Sequence, residues 1–173
     1  DYIARDVHYT PAGTTFTVQG PEGLEFDVQT RLLGEGNISD LLAAIVIALN
    51  NGMTPQKIRT AVAGIQPVEH RLSIRQIPGN ITVIDDAFNS NPAGARMAVD
   101  VLSDFKQGKR IIITPGMVEL GDSQYDLNRE FGKYIGSDNH VDVMIVVGAT
   151  NRDALKQGVN ESDFDTENLI VVD

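Results

Sequence analysis

Cysteine is absent from this chain, which removes a disulfide-stapled scaffold, a thiolate metal site and a cysteine nucleophile at one stroke. Long apolar runs are missing as well. No stretch approaches the ~20 residues of a membrane-spanning helix and no leader peptide opens the chain, so no membrane insertion is expected and a cytoplasmic setting follows by default. Basic residues are scarce: 14 Lys and Arg stand against 24 Asp and Glu, a formal net charge of −10. That balance argues against nucleic acid or an anionic membrane as partner, while a nucleotide site, which needs only a few local cations or backbone N–H groups, stays compatible with it. A phosphate-gripping P-loop is lacking too. The two Gly-Lys pairs, Gly108-Lys109 and Gly132-Lys133, run on into Arg110 and Tyr134 and have no earlier glycine at the required spacing. His8 and His140 show no metal-ligand spacing, and no metal site is expected.

What remains is the composition of an ordinary globular protein, 42% hydrophobic and 22% charged, and 173 residues are enough for one large core or two small ones. The first third reads as strands. Thr15–Val18 alternates, and Leu24, Phe26 and Val28 alternate with Glu25, Asp27 and Gln29 across a Gly20-Pro21-Glu22-Gly23 turn, which predicts a small antiparallel sheet with one wet face. A helix is predicted from Ile38 to Leu49. A second opens at Thr54-Pro55, a cap followed by proline at the first helical position, and closes near Gly64. Residues 66–71 read as a linker.

Beyond the linker the pattern switches to alternating strand and helix. Strands are predicted at 72–76, 81–84, 110–113, 143–147 and 169–172, and helices at 93–105, 123–135 and 150–156. The later strands are short and almost wholly apolar, as expected of a parallel sheet covered by helices on both faces. The fold class is therefore α/β: a Rossmann-like, mostly parallel sheet preceded by a small antiparallel sheet and two helices. The domains divide as 1–66 and 67–173. The chain opens inside a strand without Met and stops as another strand forms, so it reads as an excised fragment.

In such a sheet ligands gather at the loops following the strands, here Asp85–Pro92, Thr114–Gly121 and Gly148–Arg152. The first carries two carboxylates and two amides in eight residues: Asp85, Asp86, Asn89 and Asn91. A purely structural turn needs one capping Asp or Asn. Glu119 adds a carboxylate to the second loop. Asn37, beside Gly34 and Gly36, is either a helix N-cap or an amide that reads a base edge. Arg71 suits phosphate, or forms a salt bridge at the domain junction. His70 has no Ser or Asp partner close in sequence.

Taken in order, these pieces resemble the Mur ligase family of cell-wall enzymes. Gly34-Glu35-Gly36-Asn37-Ile38-Ser39-Asp40-Leu41-Leu42-Ala43-Ala44 is similar to the family's Gly-x-His-Asn-x-x-Asn-x-x-Ala-Ala helix start, and His70-Arg71-Leu72 to the His-Arg that enters its C-terminal domain. Asp85-Asp86-Ala87-Phe88-Asn89-Ser90-Asn91-Pro92 resembles the Asp-Asp-x-Tyr-Asn-x-Asn-Pro form of the branch that adds D-alanyl-D-alanine to UDP-N-acetylmuramoyl-tripeptide. Pro115–Gly121 is similar to the family's Gly-Asp-Met-x-Glu-Leu-Gly loop. Gly36, Asp40 and Phe88 depart from the family's usual His, Asn and Tyr.

The resemblance implies an ATP-dependent amide ligase working through an acyl phosphate, with Mg²⁺ ligands and the P-loop upstream of these residues, and a monomer. Residues 1–66 would end the central ATP-binding domain, and 67–173 would form a truncated C-terminal domain. It implies catalytic roles for Asp86 and Arg71, nucleotide contacts by Asn37, Arg71, Asp86 and Asn89, and substrate contacts by Asn89, Asn91 and Glu119. The alternatives are a sister ligase adding a different amino acid and a non-catalytic nucleotide-binding module.

Overall fold

Alternation in the first thirty residues sorts apolar and polar side chains onto opposite faces of a three-stranded antiparallel sheet, β1 (Ile3–Thr10), β2 (Gly13–Gln19) and β3 (Glu25–Thr30). A computed structural model describes residues 1–173. Phe16 pairs with Val28 and Val18 with Phe26, all buried. On the wet face, Thr17 Oγ1 donates to Asp27 Oδ1 at 2.8 Å and Gln19 Nε2 to Glu25 Oε2 at 2.8 Å. The buried face packs on α1 (Glu35–Asn50) through Ile38, Leu41 and Ile45, and on α2 (Pro55–Ala63) through Ile58 and Val62. Thr54 caps α2 as its sequence predicts, accepting from Lys57 N–H, with Pro55 at the first position. α1 starts three residues earlier than predicted, because Gly34, at φ +87°, ends the preceding extended segment.

The chain divides into two compact units, Asp1–Ala87 and Phe88–Asp173. The first also holds β4 (Ser73–Ile77) and β5 (Ile81–Asp85), a two-stranded hairpin. Ile81–Ile84 was expected to be a strand of the parallel sheet; it pairs antiparallel with β4, Ile77 opposite Ile81 and Ser73 opposite Asp85. The physical reason is the Pro78-Gly79-Asn80 turn. Gly79 at φ +92° and Asn80 at φ +58° supply the left-handed backbone that folds β5 straight back on β4.

The second unit is a βαβ structure. α3 (Pro92–Asp104) precedes β6 (Ile111–Thr114), α4 (Gln124–Gly136) links β6 to β7 (Val143–Val147), and α5 (Arg152–Asn160) links β7 to β8 (Leu169–Val172). The three strands form a parallel sheet in the order β6-β7-β8. One face, carrying Met144 and Val146, is buried against Phe131 and Ile135 of α4, Leu155 and Val159 of α5 and Ala95 and Val99 of α3. The other leaves Ile111, Ile113, Val147, Ile170 and Val172 between 38% and 65% exposed.

α4 and α5 approach closely because both carry glycine at the contact. A Cβ on Gly132 would strike the Leu155 carbonyl, and one on Gly158 the Arg129 carbonyl. Arg110 and Asp142, just before β6 and β7, tie the strand starts together: Arg110 donates from its backbone N–H to Asp142 Oδ2 at 2.7 Å and from Nη2 to Oδ1 at 3.0 Å. These hydrogen bonds hold the Asp142 carboxyl below its ordinary range.

Two outcomes follow. Gly158→Ala forces backbone apart and should cost about 1–3 kcal/mol, lowering Tm by several degrees in a thermal melt. Because the folded-state value of Asp142 is depressed, its contribution is complete above the unfolded carboxylate value of about 3.9 and fades as pH falls through the lower folded value. The Tm gap between wild type and Asp142→Asn is therefore expected at neutral pH and should shrink steadily as pH falls below about 4.

Candidate functional site

The hairpin register decides the first cluster. With Ser73 opposite Asp85, the residues just before β4 lie beside the residues at the end of β5. His70 Nδ1 comes within 2.9 Å of Asp85 Oδ2, and the Leu72 backbone N–H donates to Asp86 Oδ1 at 3.0 Å. His70 thus has the carboxylate partner that its sequence neighbourhood did not reveal. Between the two anchored residues stands Arg71, exposed, its positive charge acting on Asp86. His70 and Leu72 both sit in the left-handed region, at φ +61° and +47°. For residues with side chains that conformation costs of order 1–3 kcal/mol each and persists only where the surroundings enforce it. Here the tandem carboxylates do so.

Burial pushes the Asp86 carboxyl above the ordinary range; the Leu72 N–H and the Arg71 charge pull it back down, and the neighbouring Asp85 pushes it up. Asp85 is also engaged by Ala87 N–H at 3.3 Å, through Oδ1, and by Arg75 Nη2, 3.8 Å from Oδ2.

The other predicted residues fare differently. Asn37 is the third residue of α1, so it is not the N-cap; that place belongs to Gly34. Its Nδ2 donates to the Leu33 carbonyl at 2.7 Å, which leaves Oδ1 as the free acceptor. Asn91 caps α3, its Oδ1 accepting from Ala93 N–H at 3.1 Å and Gly94 N–H at 2.9 Å, with Pro92 at the first helical position. Asn89 is exposed in the segment before that cap. Glu119 is exposed on the loop after β6, at φ +64°.

That loop is held by two residues the sequence reading passed over. Asn128 is fully buried: Oδ1 accepts from Met117 N–H at 2.7 Å, while Nδ2 donates to the carbonyls of Met117 at 2.9 Å and Gln124 at 2.8 Å. Asn151, 4% exposed, donates to the Pro115 and Met117 carbonyls at 3.0 Å each and accepts from Gln124 Nε2 at 3.1 Å. Gly116, at φ +77°, is obligatory here, since a Cβ would lie 2.5 Å from Asn128 Oδ1. The available signal was Asn128 itself, a polar residue on the α4 face that buries Phe131, Gly132 and Ile135. The loop after β6 is a fixed platform, and Glu119 is presented from it.

No group of three or more His, Asp or Glu side chains converges to hold a metal ion. The magnesium ion implied by the resemblance finds no such donor set here. No helix is long and apolar enough to cross a membrane.

The cluster yields a stability test that is independent of activity. A carboxyl raised on folding loses stability as pH rises through its folded value, so ionised Asp86 costs the fold something at neutral pH. Asp86→Asn removes that cost and keeps an acceptor for the Leu72 N–H; its Tm at pH 7 should equal or exceed wild type. Asp86→Ala leaves that N–H unpaired and should lose about 1–3 kcal/mol in denaturant titration.

The description "Mur ligase, glutamate ligase domain" fits residues 70–171. The UDP-N-acetylmuramoyl-tripeptide–D-alanyl-D-alanine ligase of Haemophilus influenzae is 33% identical over 174 residues, covering 100% of this chain and 37% of its own length. Among solved structures, MurF of Acinetobacter baumannii superposes with a TM-score of 0.80 at 25% identity, over 99% of this chain and 35% of that one. MurF of Thermotoga maritima, solved in complex with ADP, shares the fold at a TM-score of 0.78 and 19% identity, over 100% of this chain and 37% of that one. The chain thus spans a little over a third of the proteins it matches. With more than half of its residues inside the family's domain, the chain belongs to the Mur ligase family.

Proposed function

We propose that this chain is part of an ATP-dependent ligase that joins D-alanyl-D-alanine to the carboxylate of UDP-N-acetylmuramoyl-tripeptide. One observation carries the reading: Arg71 is presented beside Asp86, within the domain matched from residue 70, in a chain alignable over its whole length to a ligase of that specificity. Residues 1–66 are read as the end of the central ATP-binding domain and 67–173 as the C-terminal domain. The start of the family match at residue 70 supports that boundary, although residues 67–87 fall within the first compact unit.

In such a ligase ATP supplies a phosphoryl group to the tripeptide carboxylate, and the dipeptide amine displaces it as inorganic phosphate, leaving an amide. What this chain would contribute is binding and orientation. Arg71, an exposed and permanently charged fork, suits phosphate oxygens. Asp86 uses Oδ1 on the Leu72 N–H and keeps Oδ2 as an acceptor for ribose hydroxyls. Asn37 Oδ1 can accept from the adenine amine, while its Nδ2 stays on Leu33. Asn89 and Glu119, both exposed, would reach nucleotide or peptide. Asn91 would act by setting the start of α3, since its side-chain oxygen is taken up by the cap. Positioning of this kind is worth several kcal/mol of barrier in transfer reactions.

The test is phosphate release from ATP by the complete gene product. Release that requires both UDP-N-acetylmuramoyl-tripeptide and D-alanyl-D-alanine, with a pentapeptide product by mass, is expected. A folded protein that releases no phosphate with any amine donor would overturn the reading. In the same assay Asp86→Asn should lose activity about tenfold or more while keeping its fold.

A further inference from the structure

The hairpin cluster contains a device that the roles of Arg71 and Asp86 do not use. Residues 70 and 72 flank Arg71, both stand in left-handed backbone, and each is tied by its own carboxylate: His70 Nδ1 by Asp85 Oδ2 at 2.9 Å, Leu72 N–H by Asp86 Oδ1 at 3.0 Å. The two carboxylates are neighbours at the end of β5, so one strand terminus grips the segment on both sides of the arginine. The Leu72 side chain is only 2% exposed, while Arg71 between the anchors is exposed. Asp85 is braced in turn by Ala87 N–H at 3.3 Å and Arg75 at 3.8 Å.

We propose that Asp85 and His70 are positioning residues: their hydrogen bond closes a strap over residues 70–72 and fixes the direction in which Arg71 is presented to nucleotide phosphate. The nucleotide is taken from the ligase reading above, and the strap is a property of the chain itself. A left-handed residue returns to extended backbone once its tether is cut, and the next side chain swings with it. Arg71 gains from being held, because a guanidinium fork recognises phosphate through fixed planar geometry and loses rotamer freedom when it binds. His70 therefore acts through Arg71 and touches no substrate.

The experiment uses the complete ligase. His70→Ala should raise the KM for ATP about tenfold while changing kcat by less than about threefold. Asn adopts left-handed backbone readily and can donate to Asp85, so His70→Asn should restore most of the affinity. His70→Ala combined with Asp85→Ala should be no worse than the poorer single variant, and in an Arg71→Ala background His70→Ala should have no further effect on the KM. An unchanged KM in His70→Ala, or an equal loss with and without Arg71, would overturn the proposal.

Hydrogen exchange of the ATP-free protein supplies a readout separate from catalysis. The Leu72 amide should exchange about tenfold faster in His70→Ala than in wild type. If the wild-type protein does not use ATP, the ligase reading falls and exchange decides the strap: faster exchange supports it, and unchanged exchange rejects it.

Discussion

Asp85 and Asp86, side by side at the end of β5, reach across the β4–β5 hairpin to hold two residues that the backbone would otherwise not place in left-handed conformation. The geometry of the first unit's candidate site depends on that double anchorage. Without it, residues 70–72 would relax toward extended backbone and the backbone that carries Arg71 would turn with them. The anchorage has its own cost, since Asp86 is partly desolvated and stands next to a second carboxylate. The acidic pair stands beside an exposed arginine whose charge acts on Asp86.

The second unit solves the same problem with neutral groups. The loop after β6 is held by Asn128 and Asn151, whose buried amides take up the backbone groups of Pro115 and Met117. A buried amide can satisfy a donor and an acceptor together, which suits a loop that turns sharply at Gly116 and would otherwise bury unpaired polar groups. Both units therefore present exposed polar residues, Arg71 in one and Glu119 in the other, from backbone fixed by side-chain hydrogen bonds.

Much of the fold was legible because it rests on local chemistry. Alternation placed β2 and β3, Thr54-Pro55 marks the start of α2, and short apolar runs placed β6, β7 and β8. The site was less legible because its side chains carry out local tasks that composition does not distinguish from ligand binding. Asn91, expected among the substrate contacts, caps α3 through its Oδ1, while Asn37, read as either a cap or a base contact, lies inside the helix. The His70–Asp85 pair spans fifteen residues and depends on the register set by Pro78-Gly79-Asn80, as does the departure of β5 from the parallel sheet. Once the antiparallel turn is recognised, the pair follows from counting along both strands.

The double anchorage at the end of β5 requires that the Asp85 carboxylate accept a hydrogen bond from His70 Nδ1. Long-range proton–nitrogen correlation of the complete protein, labelled at histidine, reads the state of that ring directly. The account predicts a His70 ring with Nδ1 protonated, its proton shifted downfield by the short hydrogen bond to Asp85. A ring protonated at Nε2 alone, or averaging freely between tautomers as an exposed histidine does, would contradict it.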